Sequence, residues 1–77
     1  MIISIFYSKT TGEIYTATFA ENEYTYNRFG AFADDMAKIL DILYVTGDER
    51  LYKTLSNYYV DLESKKLVTK VSEIKYL

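Results

Sequence analysis

Residues 1–19 read MIISIFYSKTTGEIYTATF, and this stretch decides the fold. Two runs rich in β-branched and aromatic residues flank the polar sequence SKTTGE, which is the pattern of a β-hairpin. The sequence KTTG makes the turn, and Gly12 suits a left-handed backbone conformation there. We therefore predict an N-terminal hairpin over residues 1–19, with its return strand over residues 13–19.

Alternation along this hairpin predicts which side chains share a face. The first strand is apolar on both faces near its start, which is typical of a central or covered strand. In the return strand, strict alternation puts Tyr15, Ala17 and Phe19 on one face. Ile14, Thr16 and Thr18 then lie on the other.

The middle of the chain is less decided. Residues 21–30 form a polar connection whose aromatic side chains indicate that it packs on something. The sequence AFADDMAKILDIL that follows has apolar residues at helical spacing: Phe32, Met36, Ile39, Leu40 and Leu43. Part of it, ILDILYV, also fits a strand, so residues 36–45 stay open between the two states. We predict a helix over about 31–40 and a strand over about 41–46.

The last third predicts a short helix and a second hairpin. Asp48 is a natural N-cap for one or two helical turns within residues 48–57, with Leu51 and Leu55 on one side. Alternating residues around the turn ESKK predict a hairpin over about 58–71. The tail SEIKYL either frays or adds to a sheet edge. The predicted fold class is α+β: a small, β-rich single domain over residues 1–77, with one or two short helices between two terminal hairpins.

Composition limits the chemistry open to this chain. Its 77 residues include no His and no Cys, which excludes disulfides, ordinary zinc sites and the usual nucleophile–base pairs. The side chains of the adjacent acids Asp34–Asp35 and Asp48–Glu49 are expected to point away from each other. We expect both pairs to cap helix N-termini or to interact favourably with the helix dipole there. No phosphate-binding glycine motif is present. We predict no catalytic residue, no metal, no cofactor and no enzymatic activity.

Charge and hydropathy limit the kinds of partner and the cellular location expected for this protein. The net charge is −2, which favours neither nucleic-acid binding nor DNA mimicry. Through Glu49 there are eight acidic and three basic residues, and from Arg50 onward three acidic and six basic. This asymmetry either favours head-to-tail contact between copies or reflects two halves lying side by side. No signal peptide or membrane-spanning stretch is recognisable, so we expect a soluble protein made in the cytoplasm.

Nine tyrosines are the most informative residues of the composition. Tyrosine combines a large contact area with a polar tip, so it serves both thin cores and protein interfaces. A stacking platform for single-stranded nucleic acid would need interleaved cations, which the aromatic strands largely lack. The candidate protein-binding residues are Tyr24, Tyr26, Tyr52, Tyr58 and Tyr59.

Three segments together resemble a known group of proteins: FYSKTTGEIY (6–15), FGAFADDMAKILDILYV (29–45) and NYYVDLESKKLVTK (57–70). The matching positions include Thr11 to Ile14, Ala33 to Met36, Asp41 and Val60 to Leu67. They resemble small proteins of tailed phages and prophages of Gram-positive bacteria. That group offers no catalytic residue to transfer, so the resemblance implies a biological setting only.

This setting leaves two classes of function open. The first is a virion-associated structural or assembly module of the tail, baseplate or head–tail region, whose partners are other phage proteins or further copies of itself. The second is an accessory protein that binds and inhibits a host enzyme or defence factor inside the cell. In either case we expect protein partners, without nucleic acid or membrane. The protein would be made in the host cytoplasm and, if structural, carried in the virion.

Overall fold

The computed structural model describes residues 1–70, and within them the chain has the predicted α+β, β-rich architecture. Five strands form two antiparallel sheets. The first sheet has the strand order β2-β1-β3, made of β1 (Ile2–Ser8), β2 (Ile14–Ala20) and β3 (Leu40–Thr46). The second is a two-stranded ribbon of β4 (Tyr58–Asp61) and β5 (Lys66–Thr69). Four short helical segments complete the described chain: a 3-10 helix Tyr26–Phe32, α1 (Ala33–Ile39), α2 (Glu49–Lys53) and a 3-10 turn Leu55–Asn57.

Strand β1 is the centre of the molecule. It is hydrogen-bonded to β2 along one edge and to β3 along the other. Its side chains are buried on both faces: Ile3, Ile5 and Phe6 have no exposed surface. The prediction of a central strand that is apolar on both sides is therefore confirmed. A strand with both faces buried needs apolar side chains on both.

The predicted alternation in β2 is wrong at its start. The pairing register shifts between Phe6 and Tyr7, so that Phe6 lies opposite Thr16 but Tyr7 lies opposite Ile14. Tyr15 is the extra residue of a β-bulge, and it is 62% exposed. Ile14 consequently joins Ala17 against the core instead of facing away from it. A bulge of this kind reverses the alternation on one side of it.

Each face of the first sheet has its own cover. On one face, Ile3, Ile5 and Tyr7 form the core with Leu55 and Val60, which come from the C-terminal part of the chain. The opposite face carries Phe6, whose ring meets Tyr26 and Phe29 edge-on, at centroid distances of 6.2 and 5.1 Å. The connection over residues 21–30 therefore packs on the sheet, as its aromatic side chains indicated.

The switch from helix to strand falls close to the predicted place. Helix α1 ends at Ile39, and β3 begins at Leu40, which is buried. Pairing with β1 continues from Leu40 through Thr46, and those ladder hydrogen bonds outweigh the helical spacing of the apolar residues. The described structure adds a 3-10 helix, interrupted at Gly30, that the polar connection did not predict.

The C-terminal elements follow the prediction as far as residue 70. Asp48 caps α2 by accepting a hydrogen bond from the Leu51 backbone N–H at 3.0 Å. The β4–β5 ribbon confirms the second hairpin, whose turn places Lys65 at a φ of 58°. The tail SEIKYL and the last residue of the predicted hairpin lie outside the described residues.

Gly12 joins the two hairpins. Its φ is +81°, which confirms the predicted left-handed position. Its carbonyl accepts a 2.8 Å hydrogen bond from the Val60 backbone N–H. A Cβ atom on residue 12 would overlap the carbonyl oxygen of Val60. Glycine is therefore required here for two separate reasons, backbone conformation and close approach of two main chains.

Candidate protein-interaction surfaces

The five candidate tyrosines do not form one site. Tyr24 and Tyr26 lie on the Phe6 side of the first sheet, whereas Tyr52 and Tyr58 lie beside β2 near the core. Tyr59 belongs to the ribbon. The structure therefore separates the candidate interface into three places, each of which must be considered by its own contacts.

Tyr24 and Tyr26 hold the connection onto the sheet. The Tyr26 hydroxyl donates to the Leu40 carbonyl at 2.8 Å. The backbone N–H of Tyr24 donates to Ser4 Oγ at 3.0 Å, and the Tyr24 carbonyl accepts from the Tyr44 hydroxyl at 2.7 Å. These bonds attach residues 24–26 to β1 and β3. A structural role accounts for the Tyr26 side chain, whereas Tyr24 contributes only its backbone and its side chain is exposed.

Tyr52 and Tyr58 border a groove of about 440 Å³ between β2 and the C-terminal elements. The Tyr52 ring stacks on Phe19 with a centroid distance of 5.5 Å. Apolar side chains of Ile14, Ala17 and Leu55 also line the groove, with Glu13 and Lys70 among its polar walls. This groove is a mixed apolar and polar surface, and Tyr52 also packs on Phe19, which itself packs against the core.

Tyr59 lies on the outer face of the ribbon. It pairs with Val68, while the neighbouring pair Val60–Leu67 packs towards the core. Because successive side chains of a strand alternate, Tyr59 and Val68 point to the opposite side. By the same alternation, Asp61 and Lys66 lie opposite each other on that side. Lys66 is exposed, whereas Tyr59, Asp61 and Val68 are half-buried. We call Tyr59, Asp61, Lys66 and Val68 the ribbon face.

Helix α1 and the residue before it carry an exposed apolar surface that contains no tyrosine, so the candidate residues chosen from the sequence did not include it. Phe32 is 63% exposed and Ile39 is 58% exposed, although both belong to the apolar spacing that predicted the helix. The chain turns into strand at Leu40, so the buried part of that pattern is carried by β3 instead of the helix. Asp35, also exposed, lies three residues after Phe32 and four before Ile39. We call Phe32, Asp35 and Ile39 the helix stripe.

One cation is held against aromatic rings. The Arg28 guanidinium lies over Phe6 and Phe29, at 5.6 and 5.3 Å from the ring centroids. It also donates to Thr16 Oγ1 at 3.3 Å. Cation–π contacts of this kind contribute about 0.5–1 kcal/mol when exposed. Arg28 therefore serves to close the aromatic layer over the sheet.

Three tyrosine hydroxyls have raised pKa values. Burial, followed by the nearby Asp41 carboxylate, raises the pKa of Tyr7, whose hydroxyl donates to Asp41 Oδ2 at 3.4 Å. Burial and then Asp41 raise the pKa of Tyr26. Burial and then Glu23 raise the pKa of Tyr44. All three hydroxyls are therefore neutral hydrogen-bond donors at physiological pH.

Acidic residues lie mainly where the sequence indicated. Asp34 and Asp35 occupy the first turn of α1, and Glu49 occupies the first turn of α2 and pairs with Lys53 at 3.2 Å. Across residues 1–70, no three His, Cys, Asp or Glu side chains come together as a possible metal site. In the same residues, no helix has the length and apolar character needed to cross a membrane.

The geometry thus presents an exposed apolar surface, the helix stripe, a mixed and half-buried one, the ribbon face, and a groove beside β2. Each surface carries at least one side chain suited to protein contact. No protein-family model, curated protein or solved structure matches this chain.

Proposed function

We propose that this protein is a non-enzymatic assembly module of a tailed-phage particle, acting through contacts with other proteins. The observation that carries the proposal is the helix stripe. Large apolar side chains that project into water from a short helix are costly to leave uncovered and are a common mark of a protein interface. The phage setting is supported by the resemblance of residues 6–15, 29–45 and 57–70 to small phage proteins.

Two further features support an assembly role. Strand β3 has an outer edge that pairs with no other strand within residues 1–70, and a free edge is a template for contact with another chain. The tyrosines at the groove and on the ribbon face add amphipathic contact area. The tail, baseplate and head–tail region are the proposed locations in the particle.

Quantitative mass spectrometry of purified particles tests the proposal. The expected result is a fixed number of copies per particle in a phage that carries this sequence. A phage with Phe32→Ser and Ile39→Ser should lose the protein from its particles, because the helix stripe no longer binds its neighbour. Asp34→Ser, which is exposed on the same helix but far around it from Phe32 and Ile39, is the matched control and should leave the copy number unchanged.

Absence of the wild-type protein from particles would overturn this proposal. Purification of the tagged protein from infected cells would then distinguish the second class of function. Stoichiometric recovery of one host enzyme or defence factor would identify an intracellular inhibitor instead.

A further inference from the structure

We propose that two copies of this chain associate about a two-fold axis, with the outer edges of their β3 strands paired antiparallel and Tyr44 at the centre. This inference rests on the proposed function, because it names a second copy as one partner of the assembly module. It uses a surface other than the helix stripe. The pairing joins the three-stranded sheet of each copy into one continuous sheet.

The register between β1 and β3 decides which backbone groups face outward. The Lys9 N–H donates to the Ile39 carbonyl at 3.0 Å, and the Gly47 N–H donates to the Met1 carbonyl at 3.4 Å. Hydrogen-bonded pairs recur at every second residue of an antiparallel ladder, and this register has no shift. Odd-numbered residues of β3 therefore direct their backbone groups to β1. The residues that direct theirs to the outer edge are Leu40, Ile42, Tyr44 and Thr46.

The beginning of this outer edge is already used within the fold. The Leu40 N–H donates to the Met36 carbonyl, and the Leu40 carbonyl accepts from the Tyr26 hydroxyl at 2.8 Å. The Ile42 N–H donates to Asp41 Oδ1 at 2.9 Å. A strand that paired along the whole of β3 would have to break these bonds.

The rest of the outer edge is open. Within residues 1–70, no hydrogen bond engages the Ile42 carbonyl or either backbone group of Tyr44 and Thr46. We call these groups the open edge. Residues 42–46 contain no charged residue and no proline, and no bulge interrupts their pairing with β1. These are the features with which proteins commonly protect an exposed strand from pairing.

The open edge is complementary to itself. When Tyr44 lies opposite Tyr44 of a second copy, each Tyr44 N–H donates to the Tyr44 carbonyl of the other copy. Each Thr46 N–H then meets the Ile42 carbonyl of the other copy. The Ile42 N–H keeps its bond to Asp41, and only the Thr46 carbonyl is left without a partner from the other strand.

Other registers are less favourable. A shift of two residues in one direction sets the occupied backbone groups of Leu40 against Thr46 of the second copy. A shift of two residues in the other direction pairs only residues 44–46 and sets Asp41 opposite Glu49, where like charges repel. Pairing centred on Tyr44 uses the whole of residues 42–46 in both copies.

The side chains fit the same register. On the core face, Leu43 lies opposite Val45 of the second copy, and both side chains are half-buried and pack against the core. On the other face the two Tyr44 side chains meet, each of which is 37% exposed in the single chain. Asp41, the nearest charged residue of the strand, lies opposite Gly47. The pairing therefore covers apolar surface and sets no like charges directly opposite each other.

Sedimentation velocity of the full chain, from micromolar to millimolar concentration, tests the inference. Wild-type protein should pass from monomer to dimer without larger species, because a two-fold contact uses the same edge of both copies. At low ionic strength, Tyr44→Lys and Tyr44→Glu should each weaken association about fivefold or more, since like charges then face each other across the axis. An equimolar mixture of these two variants should form a mixed dimer, because the facing charges are then opposite.

Tyr44→Phe is the matched control. It loses the same hydroxyl bond to the Tyr24 carbonyl as the charged variants do, but it introduces no charge and should dimerise like wild type. Circular dichroism and melting temperature establish that each variant is folded. If the charged variants do not fold, Thr46→Pro replaces them. It removes an outward N–H while the ladder with β1 stays intact, and it should weaken dimerisation about tenfold.

Amide hydrogen exchange locates the contact. Exchange at the Tyr44 and Thr46 N–H groups should be fast in dilute protein and should slow as the dimer forms, because both groups become hydrogen-bonded only between copies. Slow exchange of these groups in monomeric protein would overturn the inference, since another part of the same chain would then cover the open edge.

Wild-type protein that stays monomeric at every concentration, or that forms species larger than a dimer, would also overturn it. The same holds if the charged variants associate as wild type does, or if their mixture stays monomeric while wild type dimerises. These failures differ from failure of the proposed function. A protein that is found in particles but never self-associates keeps its assembly role with another partner, and one that dimerises but is absent from particles loses that role.

Discussion

At the scale of single residues, the first sheet contains a buried side-chain hydroxyl, that of Thr18, without a hydrogen-bond partner among residues 1–70. Thr18 lies opposite Ser4 across the β1–β2 pairing. Ser4 Oγ accepts a hydrogen bond from the Tyr24 backbone N–H, whereas the buried Thr18 Oγ1 has no hydrogen-bond partner among residues 1–70. A buried hydroxyl without a partner costs stability, because it has given up its bonds to water.

Thr18→Val should therefore raise the free energy of unfolding by about 1 kcal/mol. Valine has nearly the same shape and an equal preference for strands, so the change removes little besides the hydroxyl. Thr16→Val is the matched control in the same strand. It removes an oxygen that accepts from Arg28 and should not stabilise the protein. Urea denaturation measures both, and equal effects of the two changes would contradict the explanation.

At the scale of elements, the junction of the two hairpins at Gly12 makes the strongest demand on the sequence. Gly12→Ala should lower the free energy of unfolding by about 3 kcal/mol or more, because it combines an unfavourable φ with overlap on the Val60 carbonyl. Gly30→Ala is the control, since Gly30 has a φ of 60° but open space around it. It should cost about 1–2 kcal/mol through backbone conformation alone. Equal losses in urea denaturation would show that the overlap at Val60 is relieved without cost.

Local patterns predicted the elements whose signals are local. The turn at Gly12, the cap at Asp48 and the ladder-forming runs of both hairpins each depend on a few adjacent residues, and all are present. The change from helix to strand near Leu40 was predictable because both patterns were visible in the same run. The 3-10 helix over Tyr26–Phe32 was not, since its residues are fixed by aromatic contact with Phe6.

The candidate surfaces were less predictable than the fold. A bulge moved Tyr15 out of the core-facing row and Ile14 into it, and no residue type announces a bulge at that position. Tyr26 was predicted to bind a protein partner, but its hydroxyl donates a hydrogen bond to the Leu40 carbonyl within the fold. Phe32 and Ile39 resemble core residues but are exposed, because the strand that follows takes over the burial.

At the scale of the whole molecule, alkaline pH should destabilise the fold. The pKa values of Tyr7, Tyr26 and Tyr44 are raised in the folded state. The folded protein therefore retains these protons above about pH 10, where the unfolded chain releases them. Their contribution is fully present below the unfolded pKa and is lost as the pH rises above about 10 through the folded pKa values.

Urea denaturation at a series of pH values up to 11.5 measures this loss. The double variant Tyr26→Phe with Tyr44→Phe should be less stable than wild type at neutral pH, because two hydrogen bonds are gone. Its stability should nevertheless fall less steeply above pH 10. The difference between variant and wild type should stay constant from pH 6 to 8, where tyrosines are neutral. A parallel decline above pH 10 would contradict the assignment to these hydroxyls.

The position of β1 at the middle of its sheet affects how the protein is made. The ribosome delivers β1 before one of its two neighbours, β3, and before the Leu55 and Val60 side chains that cover it. A nascent chain that ends before β3, Leu55 and Val60 exposes both apolar faces of β1 and leaves the edge that pairs with β3 without a partner strand. We therefore expect folding to wait until most of the polypeptide has emerged, and premature termination products to aggregate or be degraded.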